Sequence, residues 1–118
     1  MAGKIYNVKI INSPSHSNLE VAGDLVIKLD APYSDKNVTV KINPNLVAYK
    51  EKITDNLQQY TRSFDTKDTK TLIFDFQKNN VNNITFENKN YEIKLMNIGK
   101  VSEQEQDFST FEFMVTEK

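Results

Sequence analysis

Cysteine and tryptophan are absent from this chain, and histidine and arginine occur once each, as His16 and Arg62. Each absence closes a class of chemistry. Without thiols there is no disulfide framework, no thiolate nucleophile and no cysteine-ligated metal. With one histidine, every His-based zinc site, hydrolytic triad or imidazole general base depends on His16 alone. The three glycines, Gly3, Gly23 and Gly99, are isolated from one another, so no glycine-rich loop is present to cradle a phosphate. Of the fifteen basic residues only Arg62 is arginine, the side chain best suited to phosphate and base readout, and the net charge is −1. Neither nucleic acid nor an anionic membrane is therefore an expected partner. No apolar run approaches the ~18 residues that a spanning helix needs, and Met1–Lys9 lacks the apolar stretch of a secretory leader.

What remains is enough to fold. Apolar residues make up 38% of the 118, charged residues 26%, and seven Phe and five Tyr supply large burial areas. That balance fits one domain, 1–118, with a true core rather than a disordered tail.

The most legible stretch is Asn83–Leu95. Two alternating runs flank the polar centre Asn88-Lys89-Asn90. Ile84 and Phe86 share one face; Tyr91, Ile93 and Leu95 share another; Thr85, Glu87, Glu92 and Lys94 point away. Period two with Asn at the turn predicts an antiparallel hairpin with one buried face. Beyond Leu95 the apolar parity switches to even positions, which predicts a bulge or a strand end near Asn97.

Similar alternation recurs. Lys4–Asn12 places Tyr6, Val8 and Ile10 on one side, and Leu19–Val21 reads as a short strand before Gly23-Asp24. Asp24–Asp30 sets Leu25, Ile27 and Leu29 against Val26 and Lys28. Asn37–Asn43 places Val38, Val40 and Ile42 inward, and these two runs form a second predicted hairpin across an Ala31–Lys36 loop. Thr71–Gln77 carries Leu72, Phe74 and Phe76, followed by a turn over Lys78–Asn82. Val101–Asp107 reads as an acidic loop, and Phe108–Thr116 as a last strand with Phe111, Phe113 and Val115 inward.

The middle supports two readings. Leu46, Tyr49, Ile53, Leu57, Tyr60 and Phe64 form a helical stripe, with Asn43 as N-cap and Pro44 at the first helical position, giving one helix over about 44–61. The alternative is two more strands with turns at Asn43-Pro44-Asn45 and Thr54-Asp55-Asn56. The fold class is mainly β: an antiparallel sandwich of about seven strands, immunoglobulin-like or small-barrel-like. The immunoglobulin comparison concerns layers and strand count, since the Cys…Trp…Cys pattern is missing.

Few residues offer chemistry. His16 lies in Ser13-Pro14-Ser15-His16-Ser17-Asn18, where it is a base for a neighbouring serine or, on the favoured reading, a solvated loop residue. Asp65 with Asp68, and Glu103 and Glu105 with Asp107, are carboxylate groups that read best as solvated loops rather than calcium or acid–base sites. Asp30 and Asp35 flank Ala31-Pro32-Tyr33-Ser34 without the further acids a calcium loop needs. Tyr33 is either a ligand-facing aromatic or, by preference, a ring packed over one end of the sandwich. The sequons at Asn37 and Asn83 carry no weight in a chain this rich in Asn, Ser and Thr.

No catalytic, cofactor-binding or metal-ligating residue is assigned, and the chain is expected not to be an enzyme. The expected function is a non-enzymatic interaction module that binds a protein, peptide or glycan through loops or an edge strand, with Lys4–Asn12 and Asn37–Asn43 as candidate edges. The alternatives are a structural subunit of a phage-tail or secretion-type assembly, with self-association, and a small-ligand carrier or enzyme with a carboxylate-based site.

Overall fold

The computed structural model describes residues 3–44, 69–86 and 88–118. Eight strands follow one another: β1 (Ile5–Ile11), β2 (Leu19–Ala22), β3 (Leu25–Tyr33), β4 (Asn37–Pro44), β5 (Lys70–Asp75), β6 (Val81–Phe86), β7 (Lys89–Glu103) and β8 (Gln106–Glu117). No helix occurs among the described residues. The helix or strand pair expected over 44–61 lies outside them, apart from Pro44, which ends β4.

The strands form two four-stranded antiparallel sheets, β1-β8-β7-β6 and β2-β3-β4-β5. The expected hairpins are both present. In β6–β7, Ile84 pairs with Tyr91 and Phe86 with Lys89, with Asn88 at φ 69°, a conformation that Asn tolerates better than most residues. In β3–β4, Ile27 pairs with Ile42 and Leu29 with Val40, so one register places every inward side chain of both strands on the core face.

Consecutive strands are neighbours all the way round. β1 lies alongside β2, β5 lies alongside β6, and β8 returns to pair with β1. This is the sequential order of an up-and-down barrel, flattened into two layers, and not the Greek-key order of an immunoglobulin domain. The seams between the layers are closed by side chains. At β5/β6, Asn82 Nδ2 donates to the Ile73 carbonyl at 3.0 Å, and Lys70 Nζ sits 5.4 Å from the centre of the Phe86 ring. Near β1/β2, Gly23 adopts φ +61° at the first position of the two-residue β2–β3 turn, and a Cβ there would lie 2.6 Å from the Tyr6 ring. The positive φ favours glycine at this point, and a larger side chain would also have to displace the tip of the Tyr6 ring.

Large side chains fill the space between the sheets. Phe74, Phe111, Phe113, Ile10, Ile27, Ile42, Ile93 and Leu95 are all essentially inaccessible, and Phe74 meets Phe113 edge-on across the layers at 5.3 Å. Tyr6, Val8, Phe76, Phe86 and Ile98 pack around this centre and remain partly exposed.

Four expectations are corrected. The run Ala31–Lys36 is not wholly loop: β3 continues through Tyr33 after a register irregularity, and Tyr33 meets Phe111 edge-on at 6.0 Å. Asn37–Pro44 is not an edge, because β4 is paired with β3 on one side and β5 on the other. Val26 is buried although it shares parity with Lys28; its β4 partner Asn43 is buried too, and Asn43 Nδ2 donates to Thr69 Oγ1 at 2.6 Å, so this end of the outer face is dry. Finally, Val101–Asp107 is not a loop. After the expected bulge between Leu95 and Asn97, β7 and β8 stay paired through Val101 with Phe108, Ser102 with Asp107, and Glu103 with Gln106. Only Gln104 and Glu105 turn, at φ 51° and 67°. Positive φ at both positions defines the type I′ turn whose twist matches the flanking strands.

Candidate functional site

The long β7–β8 hairpin carries its tip to the β1–β2 loop. The two are joined first by backbone, Asn12 N donating to the Ser109 carbonyl at 2.9 Å. The loop then turns on itself, His16 N donating to the Ser13 carbonyl at 3.2 Å. That turn brings the hydroxyls of Ser13 and Ser15 to the same ring nitrogen, Nδ1 of His16, at 2.9 and 3.1 Å. From the other side of the chain arrives Glu103. Ser15 Oγ donates to its Oε1 at 2.8 Å, and His16 Nδ1 lies 3.4 Å from its Oε2.

Ser15's hydrogen bond, the largest influence, holds the Glu103 carboxyl below the usual carboxylate range; Ser13 and His16 add to the effect and partial desolvation opposes it. Ser13 is buried, whereas the other loop members are open to solvent. In such surroundings these contacts contribute little energy, and their effect is to fix geometry.

The grouping joins the residue types of a hydrolytic triad in a different arrangement. A triad uses both ring nitrogens, one against the acid and one against the nucleophile. Here the carboxylate and both hydroxyls converge on Nδ1, and Ser15 donates its proton directly to Glu103. The cluster fastens the loop to the hairpin tip. Ser17 stands apart, bonded to the Leu19 carbonyl at 3.3 Å.

Beside this fastening is a cleft of about 320 Å³, lined by Pro14, Ser15, Glu103, Gln104, Gln106 and Phe108. Pro14 and the half-buried Phe108 supply apolar surface. The side-chain amides of Gln104 and Gln106 are exposed, and neither hydrogen-bonds to another described residue.

The other residues singled out by sequence are scattered. Asp30 pairs with Lys41 at 3.7 Å and Asp35 with Lys100 at 3.8 Å, so each faces a lysine rather than the other. No cluster of three or more His, Asp or Glu suited to a metal occurs among the described residues. Glu105 and Asp107 are solvated, as expected, whereas Glu103 is partly buried and accepts a hydrogen bond from Ser15. Asp65 and Asp68 lie outside the described residues. Tyr33 meets Phe111 edge-on at the sandwich end and remains 43% exposed, so it stands between the two expectations. Sequence reasoning missed Gln104, Gln106 and Phe108 altogether. Their only signal was the strand alternation that continues, weakly and in polar residues, on both sides of Gln104-Glu105.

No protein-family model, curated protein or solved structure matches this chain.

Proposed function

We propose that this protein is a non-enzymatic interaction module that receives its partner at the end of the sandwich where the β1–β2 loop meets the β7–β8 tip. The observation that carries this reading is the fastened cleft: Ser15 and Glu103 hold two chain segments, remote in sequence, in fixed relation around an open, mixed-polarity concavity. Preorganised walls lower the ordering cost of binding. The filled interior argues for an external ligand site rather than a carrier cavity, because small barrels that transport ligands leave space inside. The convergence of all partners on one imidazole nitrogen argues against acyl transfer. Layer count and strand number are what the immunoglobulin-like comparison rests on, while the sequential strand order favours the small-barrel alternative.

A second reading, a subunit of a larger assembly, draws on the exposed apolar side chains Ile73, Ile5 and Met96, which are 65%, 58% and 44% accessible. Light scattering after size exclusion at two concentrations separates the two. The interaction module runs as a monomer or dimer. A discrete, concentration-independent higher oligomer overturns it in favour of the assembly subunit.

A further inference from the structure

We infer that the cleft between Pro14 and Phe108 is a binding site for a neutral oligosaccharide; the inference rests on the interaction-module reading and names its ligand class. Size comes first. At about 320 Å³ the cleft is at the lower bound of small-molecule sites, room for one or two sugar rings. A folded protein partner normally buries about 800 Å² on each side, far more than this concavity presents.

Charge comes second. None of the lining side chains is cationic, and Glu103 is an ionised carboxylate whose oxygens are already engaged by Ser15 and His16. Glu105 and Asp107 extend the same sign along the hairpin tip. Phosphate, sulfate and carboxylate ligands are therefore disfavoured.

Functional groups come third. The unengaged polar groups are the primary amides of Gln104 and Gln106. Each presents two donors and an acceptor, which suits vicinal hydroxyls that both donate and accept. Pro14 and Phe108 line the same cleft and supply apolar surface against which the C–H side of a pyranose ring can lie. An apolar wall with a few convergent neutral amides meets the mixed surface of a sugar better than the uniform surface of an apolar ligand.

The test is a titration of the full ¹⁵N-labelled chain followed by NMR, with maltotriose, cellotriose and chitotriose as neutral probes, a sulfated trisaccharide as the acidic control and a proline-rich peptide as the competitor class. At least one neutral trisaccharide is expected to shift the resonances of Ser15, Gln104, Gln106 and Phe108, saturating with a Kd of about 0.1–1 mM. The sulfated probe is expected to bind more weakly. Gln106→Ala, at an exposed position, is expected to weaken binding about three- to tenfold, the loss of an ordinary hydrogen bond, with the rest of the spectrum unchanged. Absence of shifts at these residues with all three neutral sugars up to about 10 mM overturns the assignment, as does binding indifferent to Gln106→Ala. If the peptide alone moves them, the sugar assignment falls and the interaction module stands. Failure of the module itself is read separately, as the discrete high-mass species in light scattering.

Discussion

The two halves of the β7–β8 hairpin are built from one continuous ladder and do opposite work. On the side of the bulge nearer the β6–β7 turn, Tyr91, Ile93, Leu95, Phe113 and Val115 are buried, and the pairing is part of the core. Beyond the bulge the ladder continues from Asn97 with Glu112 to Glu103 with Gln106; Phe111 and Thr110 are still buried, but between Lys100 and Ser109 no side chain is. The first half holds the molecule together. The second projects a rigid, solvated tip against the β1–β2 loop. The core ends at Phe111 and Thr110, just past the irregularity between Leu95 and Asn97, so one hairpin joins the core at one end and projects from it at the other.

That contrast can be broken most severely at Phe113. Phe113→Ala removes an inaccessible ring that also meets Phe74, and is expected to cost about 3–5 kcal/mol in chemical denaturation. Phe108→Ala, on the projecting half, should cost less than about 1.5 kcal/mol because its ring is partly exposed and lies outside the buried core. Equal losses at the two positions would mean that the tip belongs to the cooperative core. Phe86→Ala falls between them, at about 1–2 kcal/mol, since Phe86 borders the core and is not enclosed by it.

A gain is expected at the turn itself. Gln104 and Glu105 both occupy left-handed backbone, where a Cβ costs about 1–2 kcal/mol. Glu105→Gly relieves that cost and gives back part of it through a more flexible unfolded chain, for a net stabilisation of about 0.5–1 kcal/mol. A raised urea midpoint at constant slope is the measure. A fall would show that the Glu105 side chain supports the turn in some further way.

The smallest effect is electrostatic. Glu103 is held below the ordinary carboxylate value, so the folded state releases its proton more readily than the unfolded chain. Its contribution is present above the ordinary value of 4.5 and is lost as pH falls through the lower, folded value. The NMR midpoint of the Glu103 carboxyl carbon should lie below 4.5, and Ser15→Ala should move it upward by removing the main hydrogen bond. A midpoint indifferent to Ser15→Ala would dissolve the fastening. Because Glu103 is solvent-screened, global stability should scarcely move in either case.

Most of the sandwich was legible because alternation of Val, Ile, Leu and Phe with polar residues reports burial directly. Ile84 to Leu95 and Leu25 to Ile42 announce both their strands and their faces. The bulge was legible for the same reason, since apolar parity shifts from Leu95 to Ile98. The projecting half of β7–β8 was not. Its residues are polar on both faces, so period two carries no contrast, and its turn is Gln-Glu in place of the Asn-Gly that marks a type I′ hairpin. The candidate site was half legible. Ser13, Ser15 and His16 adjoin in sequence, but Glu103 is 88 residues from Ser15, and only the return of β8 to β1 brings them together. Edge status was illegible for Asn37–Pro44, because pairing on the second side depends on where β5 returns.

That same return sets a timetable. Ile5 pairs with Thr116 and Ile11 with Thr110, so β1 is made before β2 to β7 and its ladder partner β8 after them. Neighbouring hairpins such as β6–β7 and β7–β8 close short loops and form early, whereas β1 must wait for β8 and then close a loop that spans all the strands between them. Until then the open side of β8 is an unpaired template, and the slow step in acquiring this fold is the arrival of a seven-residue strand that has existed all along.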